Sequence, residues 1–253
     1  MSANRDEIVA FCDELLSAGE FDDYGPNGLQ VPGASEVSRI ATGVSANLET
    51  LRGAAVAGAQ MVLTHHGLFW EFLPRALSPQ MTERLRVLLD ADVSLAAYPL
   101  PLDAHPEVGN NALLCGLLGF EVGERFGEAK GRPIGFVGRS EGGVPVAELA
   151  QRLESELGRE PLIQGGGPER VTTAGIVTGA GAGTVHEAVA LGLDALITGE
   201  PAEHAMADAE EGGLHFIAAG HYATETLGIR RLGELIAERF GVEHEFIDVP
   251  NPV

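Results

Sequence analysis

The sequence predicts an α/β fold, with two related units that would face each other across a cleft, on three observations. Strand-like and helix-like runs alternate along most of its 253 residues, the pattern of largely parallel sheets. A strand–helix–strand unit recurs: Ile40-Ala41-Thr42-Gly43 leads to Thr64-His65, and Ile176-Val177-Thr178-Gly179 leads to Thr198-Gly199. The Gly-to-Thr spacing is 21 residues in the first unit and 19 in the second. Third, polar residues able to hold metals follow several of the predicted strands, where open α/β sheets collect ligands.

The elements follow in order. Ile8, Phe11, Cys12, Leu15 and Leu16 are spaced as one helical face, Asn4 and Glu7 supply a capping signal, and Gly19 offers a stop. A turn-rich loop over 22–28 enters Leu29-Gln30-Val31. Predicted strands cover 39–44, 60–64, 93–97, 134–137, 174–178, 195–198, 215–218 and 244–249. Predicted helices cover 46–57, 81–89, 110–118, 146–157, 184–191, 202–211 and 225–240. The expected division is a first lobe over 1–128, completed by 219–253, and a second over 129–218. If the repeat is a duplication, Glu200 reaches the same cleft as His65 and His66.

Composition narrows the function. Apolar runs are shorter than the roughly 18 residues of a membrane span, and the N-terminal stretch lacks a signal peptide's apolar core, so the expected location is cytoplasmic. Cys12 and Cys115, the only cysteines, lie in apolar helical patterns and read as buried thiols. A net charge of −21, with 37 acids against 16 bases, disfavours nucleic-acid binding. Lys130 is the only lysine. Salt adaptation of the surface and a GC-rich genome both account for that bias.

Candidate ligands come in three pieces. His65 and His66 follow the apolar strand Met61-Val62-Leu63-Thr64; both face one cleft only if the strand ends there, and a polar loop with a capped histidine is the plain alternative. Asp103 follows another strand and serves equally as a metal ligand or as a turn or cap residue. His221 and Glu225, spaced i, i+4 where a helix starts, share one face, an arrangement also common on solvated helices. Together they give three imidazoles and two carboxylates, a first shell for two divalent ions among Zn, Fe, Mn, Co or Ni. Two carboxylates cancel half of the charge of two such ions, so an anionic small ligand is expected. Asn27, Gln30, His105, Glu200 and Tyr222 are candidates for contacting substrate, each with an ordinary structural alternative. Phe69 and Trp70 are candidates for an apolar wall.

At Tyr24-Gly25-Pro26-Asn27-Gly28-Leu29-Gln30-Val31, Thr64-His65-His66-Gly67-Leu68-Phe69-Trp70, the stretch 101–112, Thr198-Gly199-Glu200, the stretch 220–225 and the ending 246–252, the chain resembles one family. It is the Ngg-interacting-factor-three-like family of dinuclear metal-centre proteins, also called GTP cyclohydrolase 1 type 2 homologs. The resemblance implies that His65, His66, Asp103, His221 and Glu225 are metal ligands, with Glu225 touching both ions. It also implies two interlinked α/β lobes with a metal-binding cleft between them, and a toroidal homohexamer. Pro99 stands where the family commonly has a histidine, which puts a proton-transfer contact in doubt but none of the five ligands.

The function expected is metal-dependent hydrolysis of a nucleotide-like or phosphorylated small molecule. The alternative is a non-enzymatic metal-binding oligomer that stores or delivers metal or serves as an interaction scaffold. If salt adaptation set the surface charge, the denaturation midpoint rises from low to multimolar KCl; a flat midpoint assigns the composition to the genome.

Overall fold

The computed structural model describes residues 2–253. The chain forms two compact units, one holding the chain up to Leu102 together with Gly228–Val249, the other Asp103–Leu227 with Pro250–Val253. Both are mixed α/β.

In the first unit a five-stranded sheet runs in the order Glu243–Phe246, Arg39–Ser45, Met61–His66, Ser94–Ala97, Gly28–Val31. The first four are parallel to their neighbours, and Gly28–Val31 closes the edge antiparallel to Ser94–Ala97. Buried Ala41, Val62 and Leu95 belong to a core with Leu51, Ala54, Leu68 and Leu88 from the segments that cover the sheet. The first helix, Arg5–Leu15, starts where Asn4 Oδ1 accepts the amide protons of Asp6 and Glu7, the N-cap bond that satisfies otherwise orphaned donors. It ends before Ser17, which takes the left-handed conformation at φ 50°, rather than at Gly19.

The second unit holds a six-stranded sheet in the order Glu121–Ala129, Arg132–Pro145, Arg170–Val177, Ala195–Thr198, His215–Ala218, Leu162–Gln164. Its central strands Arg170–Val177, Ala195–Thr198 and His215–Ala218 are parallel, while the flanking pairs are antiparallel. The parallel pairing predicted by alternation therefore holds at the centres of the sheets but not at these edges. The strand Glu121–Ala129 is missing from the sequence prediction, because its burial follows no two-residue alternation: its first five residues are all exposed.

The units divide at Leu102 and Leu227, differently from the 1–128 and 129–218 division expected from the sequence. The reason is core sharing. Leu114, Cys115 and Leu118 of the helix Asn110–Leu118 pack with Phe136, Leu149 and Ile176, and Ala219 joins the same cluster. Both cysteines are buried free thiols, and burial pushes Cys115 up to about 12. Among the described residues no helix is long and apolar enough to cross a membrane.

One contact in the first unit generates a stability test. His244 Nε2 lies 2.8 Å from Thr42 Oγ1, and the helix Thr226–Phe240 passes it at Gly233, where a Cβ would sit 2.2 Å from His244 Nε2. Burial lowers the His244 pKa below its ordinary 6.5; Glu234 opposes the shift and Arg230 adds to it. Below pH 6.5 the unfolded chain takes up a proton that the folded imidazole resists, so stability is full above that pH and is lost progressively as pH falls from it through the lower folded pKa. Relative to His244→Gln, the wild type should lose stability on acidification through that range. Gly233→Ala should cost about 1–3 kcal/mol by overpacking, read from the denaturant midpoint.

Candidate metal centre

In the first unit the histidine pair sits within the strand Met61–His66 as its last two residues, not beyond the strand's end as expected. The strand pairs with Ser94–Ala97 only up to Thr64, and after that keeps one neighbour, with Ser45 opposite His66. Adjacent strand residues ordinarily point to opposite faces. Here, where one side of the ladder has been lost, the two imidazole centroids are 4.5 Å apart with planes at 53°. His65 is buried and His66 partly so.

The turn-rich loop approaches this pair through Asp23, a buried residue that the sequence alone did not single out. Its carboxylate accepts from the amides of Tyr24 at 2.7 Å and Leu100 at 2.9 Å. Burial raises the Asp23 pKa, against the pull of those amides, of the nearby His65 and of the Asn27 side chain. Asn27 is thus tied to Asp23, while its own Oδ1 is buried without a hydrogen-bond partner among the described residues. Gln30 donates to Pro26 O and accepts from Leu68 N, both at 2.8 Å, so its amide braces the loop against the segment after the histidines.

In the second unit three loops meet at the carboxyl ends of the parallel strands. They are Thr178-Gly179, Thr198-Gly199-Glu200 and Ala219-Gly220-His221. The amides of Gly199 and Glu200 both donate to Gly179 O, at 3.0 and 2.9 Å, and Gly220 N donates to Gly199 O at 2.8 Å. Glu200 Oε1 lies 2.5 Å from His221 Nδ1, and His221 Nε2 lies 3.1 Å from Glu225 Oε1. Glu225 is 2% exposed. The sequence places a helix start at His221 and a helix over 225–240; a short helix, His221–Thr224, precedes Thr226–Phe240, and Glu225 is the residue between them. Burial disfavours charge on His221, but the hydrogen bonds and charges of Glu225 and Glu200 outweigh it and hold the imidazolium up to about 9.

Asp103, also buried, accepts from Asn110 Nδ2 at 2.8 Å and Thr178 Oγ1 at 3.3 Å. Asn111 receives the Thr178 amide at 2.7 Å and donates to Asp103 O at 3.2 Å. In the sequence the two asparagines suggest a cap or turn; their buried side chains instead orient Asp103 and the end of a strand. His105 serves its own turn, Nδ1 accepting from the amides of Glu107 and Val108. Tyr222 is half-buried, with its amide on Val253 O.

Each unit therefore gathers imidazole or carboxylate groups at the carboxyl ends of parallel strands, the arrangement of an α/β protein whose site lies at strand ends. The chain belongs to the Duf34/NIF3 (NGG1p interacting factor 3) family, whose model matches residues 3–252. It is 44% identical to the GTP cyclohydrolase 1 type 2 homolog of Escherichia coli strain K12, covering 97% of this chain and 98% of that one. The protein of the same name from Pseudomonas aeruginosa is 43% identical, with 97% of both chains covered. Among solved structures, protein ybgI, described as of unknown function, matches at a TM-score of 0.93 and 42% identity over 99% of this chain and 100% of that one. TTHA1606 from Thermus thermophilus matches at 0.86 and 33%, over 99% and 100%.

Gly179 is the tightest point of the second unit's cluster. It has φ +65°, and a Cβ there would lie 2.3 Å from Glu225 Oε1 and 3.2 Å from His221 Nε2. Gly179→Ala should lower stability by about 1–3 kcal/mol through left-handed backbone strain and overpacking. Gly192→Ala, at the same φ of +65° and with nothing within 4 Å of a Cβ, is the matched control, compared by thermal denaturation; equal midpoints would show that the cluster tolerates the extra atom.

Proposed function

We propose that His65, His66, Asp103, His221 and Glu225 hold two divalent metal ions, and that the protein is a metal-dependent hydrolase acting on a nucleotide-like or phosphorylated small molecule. The observation that carries this reading is the His221–Glu225 pair: a nearly inaccessible carboxylate with an imidazole nitrogen 3.1 Å away. Ligand atoms around one ion at bond lengths of about 2.0–2.1 Å stand roughly 3.0–3.4 Å apart, so the spacing of the pair suits a shared ion that displaces the Nε2 proton. Imidazole with carboxylate suits Zn, Fe, Mn, Co or Ni. Bound divalent ions supply Lewis acidity and lower the pKa of water.

The chain's own residues supply orientation. Glu200 holds the His221 ring by Nδ1 and leaves Nε2 facing Glu225, the carboxylate–histidine arrangement that fixes a ligand's tautomer. Asn110 and Thr178 do the same for Asp103. Pro99 is buried and carries no titratable group, so it supplies no proton-transfer contact. The name shared by the relatives, GTP cyclohydrolase 1 type 2 homolog, makes GTP the first substrate to try. The toroidal homohexamer expected from the resemblance is part of the same proposal and is tested by the mass of the assembly in solution.

Metal content on gently purified protein should be two ions per chain, falling by at least one in Glu225→Gln and in His66→Ala. Formate release from GTP in the loaded protein would support the hydrolase. Two retained ions without turnover of nucleotides or phosphate esters would leave a metal-binding oligomer. No metal after reconstitution would overturn the proposal.

A further inference from the structure

The segment that follows the histidine pair builds a site of its own. In the first unit a cavity of about 710 Å³ is walled by Tyr24, Phe69, Trp70, Glu71, Arg75 and Leu77, among others. Small-molecule sites commonly span roughly 300–1,000 Å³ and combine apolar walls with a few convergent polar groups. The wall is fixed to the fold rather than loosely draped. Glu71 N donates to Tyr24 O at 2.7 Å, and a Cβ at Gly25 would meet Phe69 O at 2.1 Å. The Gln30 amide bridges Pro26 to Leu68, and Leu68 is buried in the core.

The indole of Trp70 is the organising surface. Its centroid lies 5.6 Å from that of His66, so the cavity adjoins the histidine pair. Phe72, which is not part of the cavity wall, stacks on it at 5.6 Å and 26° and braces the ring. Arg75 is exposed in the same wall, and a guanidinium pairs well with phosphate oxygens. Arg75 is the one cation among the described residues of a lining that also holds the carboxylates of Asp23 and Glu71, so it is the group that would meet a phosphate. Glu71 adds a carboxylate able to accept N–H groups from the edge of a base.

We propose that this cavity is a subsite for a purine-like base stacked on Trp70, with Arg75 meeting an attached phosphate. It deepens the hydrolase reading and rests on it for the purpose of the site, since it places the base beside His66. Exposed Leu73 and Leu77 would also suit a second copy of the chain; the concavity and the cation favour a small anionic aromatic.

Trp70 is the only tryptophan, so intrinsic emission reports on this wall alone. Guanosine, GTP, ribose 5-phosphate and inorganic phosphate are titrated into protein as purified and after chelation. Guanosine and GTP should quench Trp70 saturably in both preparations, while ribose 5-phosphate and phosphate should not. By calorimetry, Trp70→Leu should weaken both ligands about tenfold, the order of one base–aromatic stack, and Trp70→Phe should restore most of the loss. Arg75→Ala, an exposed change, should weaken GTP about tenfold and leave guanosine unaltered.

A Trp70 silent to guanosine and GTP in both preparations overturns the subsite, even if two metals are bound. Emission that shifts with protein concentration and not with ligand also overturns it, assigning the wall to a second copy. Guanosine quenching in protein that never binds metal keeps the subsite while the metal reading fails.

Discussion

Burying Glu225 beside His221 is the constraint on which the second unit's strand-end cluster depends. A carboxylate removed from water is costly unless charge or hydrogen bonds compensate it. His221 faces it through Nε2 and is held from behind by Glu200 at Nδ1. Space for the carboxylate exists because position 179 is glycine. Thr224 Oγ1 accepts the Gly179 amide at 3.2 Å, fixing that close approach from the segment carrying His221 and Glu225. A divalent ion would relieve the same constraint directly, which is why this pair carries the functional proposal.

Sheet architecture explains why chemistry collects where it does. Parallel neighbours begin and end together, so the residues just past their carboxyl ends come side by side even when far apart in sequence. Thr178, Glu200 and His221 meet in this way across three adjacent strands. The histidine pair obeys the same logic in the first unit, where the strand outlives one of its neighbours by two residues. Antiparallel strands flank the parallel centres of both sheets.

Much of this was legible in the sequence because it is written in local pattern. Apolar runs of four to six residues followed by Gly, Thr or His located the parallel strands, and Ala195–Thr198 and His215–Ala218 fall where the pattern placed them. The helices Asn110–Leu118 and Val146–Leu157 agree to the residue. The echo between the two strand–helix–strand units pointed to Glu200, which lies against His221. What escaped was set by partners distant in sequence. Glu121–Ala129 is a strand because Arg132–Pro145 pairs with it, not because of its own alternation. Asp23 could not be told from Asp22 until Leu100 was seen donating to it.

By itself the sequence determined the fold class, the parallel cores, the family and which side chains are chemically able to hold metal, since these follow from periodicity, residue type and motif. Only the tertiary structure decided which nitrogen of His221 faces Glu225, that Asn110 and Thr178 orient Asp103, and that Gln30 braces a loop rather than standing free. It also decided that residues 103–128 belong with the second core and that the aromatics after the histidines wall a cavity. The physical reason is common to all of these. A side chain's rotamer and hydrogen-bond partner depend on groups tens of residues away, and such contacts leave no periodic trace along the chain.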